Sequence, residues 1–528
     1  MKKYIFLLAA AIFTGCSSDY LDTTPTSSTS PNTLYSTTDN AKVAINGLAK
    51  LMIKQYQTQG FNGEGTIKMY YGNYSGKYFY KDLPGWANTQ NFMWVNSNDA
   101  SYTNYPWHYY YMLIGNANPL IEQIDNAVGT EAERQFIKAQ ALTYRAYAYT
   151  QLCQFYGQRW KDSDNGSKPA LVLRINSGKE PLPLSPLADI YTQIYTDLDE
   201  AIQLFESSKL ERKKSNFYEP NINVAYATYA RAALNKEDFT SASKYAQLAR
   251  KDFPLMSNDD YKSGFNTPNS EWIWGCYNAP DETLYYYSFH SYMGYNSTAG
   301  AVRNTPGCIS RVLYNKIPDT DLRKNLFLNP GKDYIPVNSG QLALTGDNKN
   351  PDDIALNKEY RELFPELQKN AKLYKYMQFK FKVTEQPGVG NLNNFRSAEM
   401  YLIEAESLHK LGKDTEAQKL MNELVQPRDP EYKCTATGKD LFEEIKLYRF
   451  IELWGEGFDW FDLKRWGDSR VRNTFKDIKN KENEKEQISD DLYDQYPSTL
   501  ARTIAPDQNN NWVYVTPIKE SDYNPEIK

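Results

Sequence analysis

Flat aromatic rings beside amides form a recognition surface for a polyhydroxylated ring, whose apolar C–H face stacks and whose hydroxyls take hydrogen bonds. Residues 70–111 hold 15 aromatics in 42 positions, about 36% against 14% for the whole chain, interleaved with Asn73, Asn88, Asn91, Asn96 and Asn98. Within this stretch Trp86 and Trp94 lie in a turn-rich run, KDLPGWANTQNFMWVNSND, and with Asn96 they are the first candidate ligand contacts. Trp107, Tyr109, Tyr110 and Tyr111 instead enter a predicted helix and read as core.

A second cluster comprises Tyr285, Tyr286, Tyr287, His290, Tyr292 and Tyr295, near Gly294, Asn296 and Gly300. A loop of that composition has no obvious apolar face, so several rings are expected at the surface, with Tyr286, Tyr292 and Tyr295 as candidate contacts. Arg303 is a candidate ligand for a hydroxyl or carboxylate, its alternative being a solvated surface residue. Trp272 and Trp274, two apart on a predicted strand, share one sheet face and read as core.

Other chemistries find little support. The three histidines, His108, His290 and His409, are far apart, which excludes an HExxH site or a His-rich zinc centre. Cys153, Cys276, Cys308 and Cys434 form no CxxC pair and read as small buried apolar residues. No metal or cofactor is expected. The chain has 60 Lys+Arg against 65 Asp+Glu, a net charge of −5, and no basic run of the kind that binds nucleic acid. Glu456 and Asp462 could imitate the carboxylate pair of a glycosidase, but structural ion pairing is the simpler role for them.

The N-terminus carries a different signal. Lys2-Lys3 precede an apolar run from Tyr4 to Phe13, too short to span a bilayer and shaped like an export signal over residues 1–15. Thr14-Gly15-Cys16 follows, as in a bacterial lipoprotein signal whose Cys is acylated, although Phe13 stands where Leu is usual; the alternative is an ordinary signal with a chance Cys. Residues 16–37, rich in Ser, Thr and Pro, are then the lipidated Cys and a tether. The body is expected to run over 38–528.

The elements that must position the aromatics are mainly helical. Phe136, Ala139, Leu142, Ala146, Tyr149, Cys153 and Tyr156 recur every three or four residues and predict a helix stopped by Gly157. A second stripe runs Ile190, Ile194, Leu198, Ala201, Ile202, Phe205. Residues 224–250 and 396–425 each read as helix, turn, helix, turning at 235–238 and at 412–414, with Ala242 and Ala417 soon after the turns. This pattern predicts a mainly α chain: a tetratricopeptide-like hairpin scaffold over about 110–250 and 395–465, with an unrelated helical bundle as the alternative. Between them, 255–394 reads as a loop-rich inserted lobe with short strands such as 272–274 and 378–383.

With these elements in place, the chain resembles the SusD/RagB-like family of outer-membrane nutrient-binding lipoproteins. The segment Phe395-Arg396-Ser397-Ala398-Glu399-Met400-Tyr401-Leu402-Ile403-Glu404-Ala405-Glu406 is similar to the family's Arg-x-Ala-Glu-x-Tyr-Leu-Ile-x-Ala-Glu helix. RFIELWGEGFDWFDLKRWG, from Arg449 to Gly467, is similar to its Glu-Gly-x-x-Trp-x-Asp-Leu-x-Arg-Trp segment. Weaker matches include Trp107, Tyr111, Ile114, Asn118, Ala141, Arg145 and the ending Pro517-Ile518. Read physically, Arg396, Glu399 and the acids of 452–462 form ion pairs between helices, and Trp454, Trp460 and Trp466 pack a core.

The resemblance implies a lipid-anchored protein at the cell surface. It would capture a glycan without chemical conversion and pass it to a SusC-like TonB-dependent transporter in the outer membrane. Peptide capture, as in some branches of the family, is the runner-up; a surface glycoside hydrolase and a ligand-free helical scaffold are rivals of other classes. Starch-binding members look to have a further Trp near the segment matching 300–310, where this chain reads AVRNTPGCIS, so a starch-type aromatic arc is in doubt.

Overall fold

The computed structural model describes residues 31–54, 60–83, 85–278, 280, 287–344, 350–476 and 488–527. The expected export signal, Cys16 and Tyr286 lie outside the described residues. The end of the expected tether is already structured: Pro31–Leu34 form one helical turn, and Thr37 caps the first long helix by accepting from the Asn40 N–H at 3.1 Å.

Eleven of the described helices carry the architecture: α1 (Thr38–Leu51), α2 (Ser101–Gln123), α3 (Glu131–Tyr156), α4 (Leu187–Ser208), α5 (Ile222–Asn235), α6 (Phe239–Arg250), α7 (Pro351–Leu363), α8 (Ser397–Lys410), α9 (Asp414–Val425), α10 (Gly438–Glu452) and α11 (Asp459–Trp466). Each predicted stripe is a buried face, as in α4, where Ile190, Ile194, Leu198, Ala201 and Phe205 point inward. Local signals set the ends. Thr130 and Glu133 form a reciprocal capping box at the start of α3, with bonds of 3.2 and 3.1 Å. At its other end the Lys464 ammonium donates to the carbonyls of Gln154, Phe155 and Gly157 at 2.6, 3.2 and 3.1 Å, satisfying acceptors that the helix leaves open.

Helices α5 and α6 meet across a short turn in which Asp238 accepts from the Ser241 N–H at 3.1 Å. The α8–α9 turn relies on Gly412, whose φ of +75° suits a residue without a Cβ. Fully buried Ala242, Ala246, Ala249 and Ala417 keep paired helices close. The two hairpins are distant in sequence but adjacent in space: α6 packs on α8, and the ion pairs Arg231–Glu399 and Arg250–Glu404, each 2.7 Å, join them.

Strands are short. β1 (Phe79–Tyr80) pairs antiparallel with β3 (Cys308–Ile309), and β2 (Trp272–Cys276) with β4 (Leu392–Arg396), bringing Trp272 opposite Arg396 and Cys276 opposite Leu392. Trp272 and Trp274 are core, as are all four described cysteines. The expectation of a strand over 378–383 is not met. Its backbone groups bond to separate loops, Gln378 to Gly307, Phe379 to Leu326 and Lys382 to Gly264, at 2.7–3.0 Å, and side chains on both of its faces are buried. The lobe also contains α7, started by an Asn350 cap that accepts from the Asp352 N–H at 3.1 Å.

Candidate functional site: an aromatic surface around Trp86 and Trp94

A widened π-helical segment, Ile67–Asn73, buries Tyr70 and Tyr71 and hands the chain to Tyr74. The next turns bring both candidate tryptophans back beside it. Trp86 is half-buried, with its ring edge-on to Tyr70 (4.7 Å between centroids, 61°) and to Tyr74 (5.9 Å, 89°). Trp94 sits in the tight turn Met93–Asn96, which follows a left-handed Phe92 at φ 41°. Its ring lies flat against Tyr102 (5.4 Å, 5°), and its Nε1–H donates to the Thr89 hydroxyl at 3.3 Å. The geometry is that of a fixed, offset-stacked pair.

Tyr292 enters from the lobe on the short helix Phe289–Met293, whose Ser288 cap accepts from the Ser291 N–H at 3.2 Å. Its ring lies 6.3 Å from Trp86 and 6.4 Å from both Tyr70 and Tyr287. Tyr102 joins the two halves, 6.1 Å from Tyr70. The result is one continuous aromatic cluster, in which Trp94, Tyr102, Trp86 and Tyr287 are half-exposed and Tyr70, Tyr74 and Tyr292 are buried beside them. Burial raises the Tyr292 phenol to about 12, so it keeps its proton and serves as a neutral hydroxyl. Beneath it, the Lys81 ammonium donates to the Tyr292 carbonyl at 2.8 Å, and burial brings that ammonium down to about 7.

The other candidates are distributed differently. Asn96 is exposed on the turn that carries Trp94, and its amide donates to Asn509 Oδ1 at 2.7 Å. Tyr295 is not the surface ring its loop composition predicts. It is only 3% exposed, donates its hydroxyl to Glu366 at 2.6 Å and packs edge-on against Phe364 and Phe379, because the segment after α7 covers it. Tyr292, at 7% exposure, is likewise buried rather than the surface ring expected, packed between Trp86, Tyr70 and Tyr287. Arg303 is half-buried and tied to its own turn, its Nε–H donating to the Thr298 carbonyl at 2.7 Å. Sequence reasoning passed over Tyr70, Tyr74 and Tyr102 as contributors, although the local aromatic density already included them.

The motif carboxylates are engaged otherwise. Arg396 binds Glu271, Glu452 and Glu456 at 2.7–2.8 Å, Lys380 adds 2.7 Å to Glu456, and Arg323 adds 2.8 Å to Glu452. Asp462 pairs with Arg449 at 2.6 Å and with Arg465 at 3.1 Å. Burial alone would raise the Glu456 carboxyl, but the cations of Arg396 and Lys380 hold it below its ordinary value. Trp454 and Trp460 are core, whereas Trp466 is half-buried, its Nε1–H donating to Glu406 at 3.1 Å.

A sequence model of the SusD family matches residues 240–526. The chain belongs to the SusD family. A second model, described as starch-binding associating with outer membrane, matches residues 19–234. Among curated relatives, the SusD-like protein P38 of Formosa agariphila is 23% identical over 494 residues, 88% of this chain and 90% of the relative. Among solved structures, a SusD-like carbohydrate binding protein from Bacteroides vulgatus superposes with a TM-score of 0.74 at 22% identity, covering 93% of this chain and 98% of that one. A SusD superfamily protein from Bacteroides thetaiotaomicron gives 0.69 at 20% identity, covering 93% and 99%. For this SusD-family chain, the motif residues thus occupy the ion-paired interior, and the aromatic surface is built from stretches outside those motifs.

Proposed function

We propose that this chain is a lipid-anchored glycan-binding protein of the bacterial cell surface, and that it delivers its ligand to a SusC-like TonB-dependent transporter without catalysis. The carrying observation is the aromatic cluster whose half-exposed rings are Trp94, locked flat on Tyr102, and Trp86, beside the buried Tyr292. Rigid rings with hydroxyl and amide neighbours suit the C–H faces and hydroxyl rims of sugars.

Family membership and the wording of the second matching model, which couples starch binding with the outer membrane, support the location and ligand class. Cys16 is the proposed acylation site and Trp86, Trp94, Asn96 and Tyr292 the proposed ligand-binding set. Among the described residues no helix is long and apolar enough to cross a membrane. The non-catalytic reading is supported by Glu456 and Asp462, whose carboxylates are buried against arginine and lysine rather than facing an open cleft.

The test is retention of the purified protein by a panel of polysaccharides, beside a panel of mixed oligopeptides. Retention by a polysaccharide with no release of reducing ends is the expected result. Retention by peptides alone would move the ligand class, and reducing-end release would make the protein a hydrolase.

A further inference from the structure

The loop-rich lobe holds a cleft of about 690 Å3 between α7 and the tight turn Leu322–Leu326 with the loop that follows it. That volume lies within the roughly 300–1,000 Å3 of small-molecule sites. None of its lining residues belongs to the aromatic cluster around Trp86 and Trp94. The floor is apolar and fixed. Tyr360 and Phe364 line it, and both rings stack on Phe379, at 5.5 Å and 23° and at 3.8 Å and 6° respectively. The Tyr360 hydroxyl accepts from the Asn329 N–H at 2.8 Å, which pins α7 to the opposite wall. Leu356 and the 60% exposed Leu363 add aliphatic surface.

The rim is polar. Asn325 and Asn329 on one wall and Asp352 and Glu359 on the other are exposed. Seven residues apart, Asp352 and Glu359 share one face of α7, about two turns from each other. Asn329 Oδ1 accepts from the Gly331 N–H at 3.0 Å, which leaves its NH2 group to donate. The other charged groups at the cleft are neutralised nearby: Asp353 pairs with Lys375 at 3.0 Å, and Lys324 with Asp319 at 2.6 Å. The charges that the cleft presents are therefore Asp352 and Glu359, both negative.

We infer that this cleft is a second binding site, separate from the aromatic cluster, for an uncharged saccharide unit. The class of ligand rests on the glycan-binding reading. Carboxylates and amides on two walls accept from and donate to the hydroxyls of the sugar, and the Tyr360–Phe364 floor takes its C–H face. An acidic sugar would meet like charge there, with the Lys324 ammonium already held by Asp319. Because the walls are pinned at the floor, the site is formed before ligand arrives.

The experiment is isothermal titration calorimetry of the purified protein with neutral hexasaccharides of the malto, cello, xylo and manno series, and with a hexamer of galacturonic acid as the charged probe. It compares the unaltered protein, Trp94→Ala, and Trp94→Ala combined with either Asn325→Trp, which fills the cleft from an exposed position, or Glu359→Gln. At least one neutral hexasaccharide should bind Trp94→Ala. Either cleft change should then weaken that binding by about 10-fold or more, with the thermal midpoint unmoved. The galacturonic acid hexamer should not bind Trp94→Ala. If Trp94→Ala abolishes the binding of every hexasaccharide that the unaltered protein takes up, or if the binding left in Trp94→Ala ignores both cleft changes, the inference falls and the glycan reading stands. Binding of the galacturonic acid hexamer that Asn325→Trp removes would overturn the uncharged ligand. No hexasaccharide bound by the unaltered protein would sink the glycan reading, and with it the ligand assigned to the cleft.

Discussion

Tyr292 and Tyr295 lie three residues apart, but the fold gives them different work. Tyr292 reaches the aromatic surface beside Trp86, whereas Tyr295 is closed under Phe364 with its hydroxyl on Glu366. Tyr295→Phe should therefore cost about 1.5–3 kcal/mol of stability, the range for a hydrogen bond to a charged group, and leave ligand binding unchanged. Urea unfolding and a binding titration on the same preparation check both halves. The sequence signalled the aromatic richness of this loop but not which rings face outward. Gly294, Asn296 and Gly300 permit many paths, and the path is fixed by contacts with residues 364–383, far along the chain. Trp86 and Trp94 keep part of their rings exposed, as a turn-rich stretch without a long helical face leads one to expect.

At the scale of elements, helices were legible and irregular segments were not. A period of three to four residues shows in one stretch of sequence, so α3, α4 and both hairpins fell where Ile, Ala and Tyr recur. Residues 378–383 alternate as a strand does, but with both faces buried and backbone partners in several loops the alternation carried no sheet. Two predictions belong here. Arg396→Met leaves Glu271, Glu452 and Glu456 without their shared cation between α8, α10 and β2, and should destabilise the protein by about 3–5 kcal/mol in denaturant unfolding. A change below about 1 kcal/mol would show that these carboxylates do not depend on it.

Lys464, which closes the end of α3, predicts a pH dependence. Burial lowers its ammonium to about 7 in the fold, against an ordinary value of 10.5 in the unfolded chain. Between those values the unfolded chain binds the extra proton, so this site's contribution to stability rises with pH. Denaturant unfolding near pH 7 and pH 9 should show the unaltered protein gaining on Lys464→Met by up to about 1.4 kcal/mol per pH unit. A constant gap between the two would contradict the shifted lysine.

At the scale of the whole molecule, one apolar cluster draws on residues from Ala41 to Tyr514, so the aromatic surface is mounted on a core that involves nearly every long element. Side chains from 70–102 and from 287–292 meet there, where β1 pairs with β3 and Lys81 holds the Tyr292 carbonyl. That meeting was not legible in sequence, where the two clusters stand about 190 residues apart. The proposed anchoring makes a separate prediction: Cys16→Ser should move the protein from the membrane fraction to the soluble fraction of cells, and persistence in the membrane fraction would exclude lipid at Cys16 as its sole attachment.

The central claim is that the aromatic surface binds glycan. Its most direct measurement is an affinity comparison of the unaltered protein and Trp94→Ala on a polysaccharide that the former retains, with thermal unfolding of both. The account predicts a loss of about 1–3 kcal/mol in binding, by analogy with other stacking platforms, and a much smaller loss in stability. Unchanged affinity with a lowered thermal midpoint would contradict it and make Trp94 a packing residue.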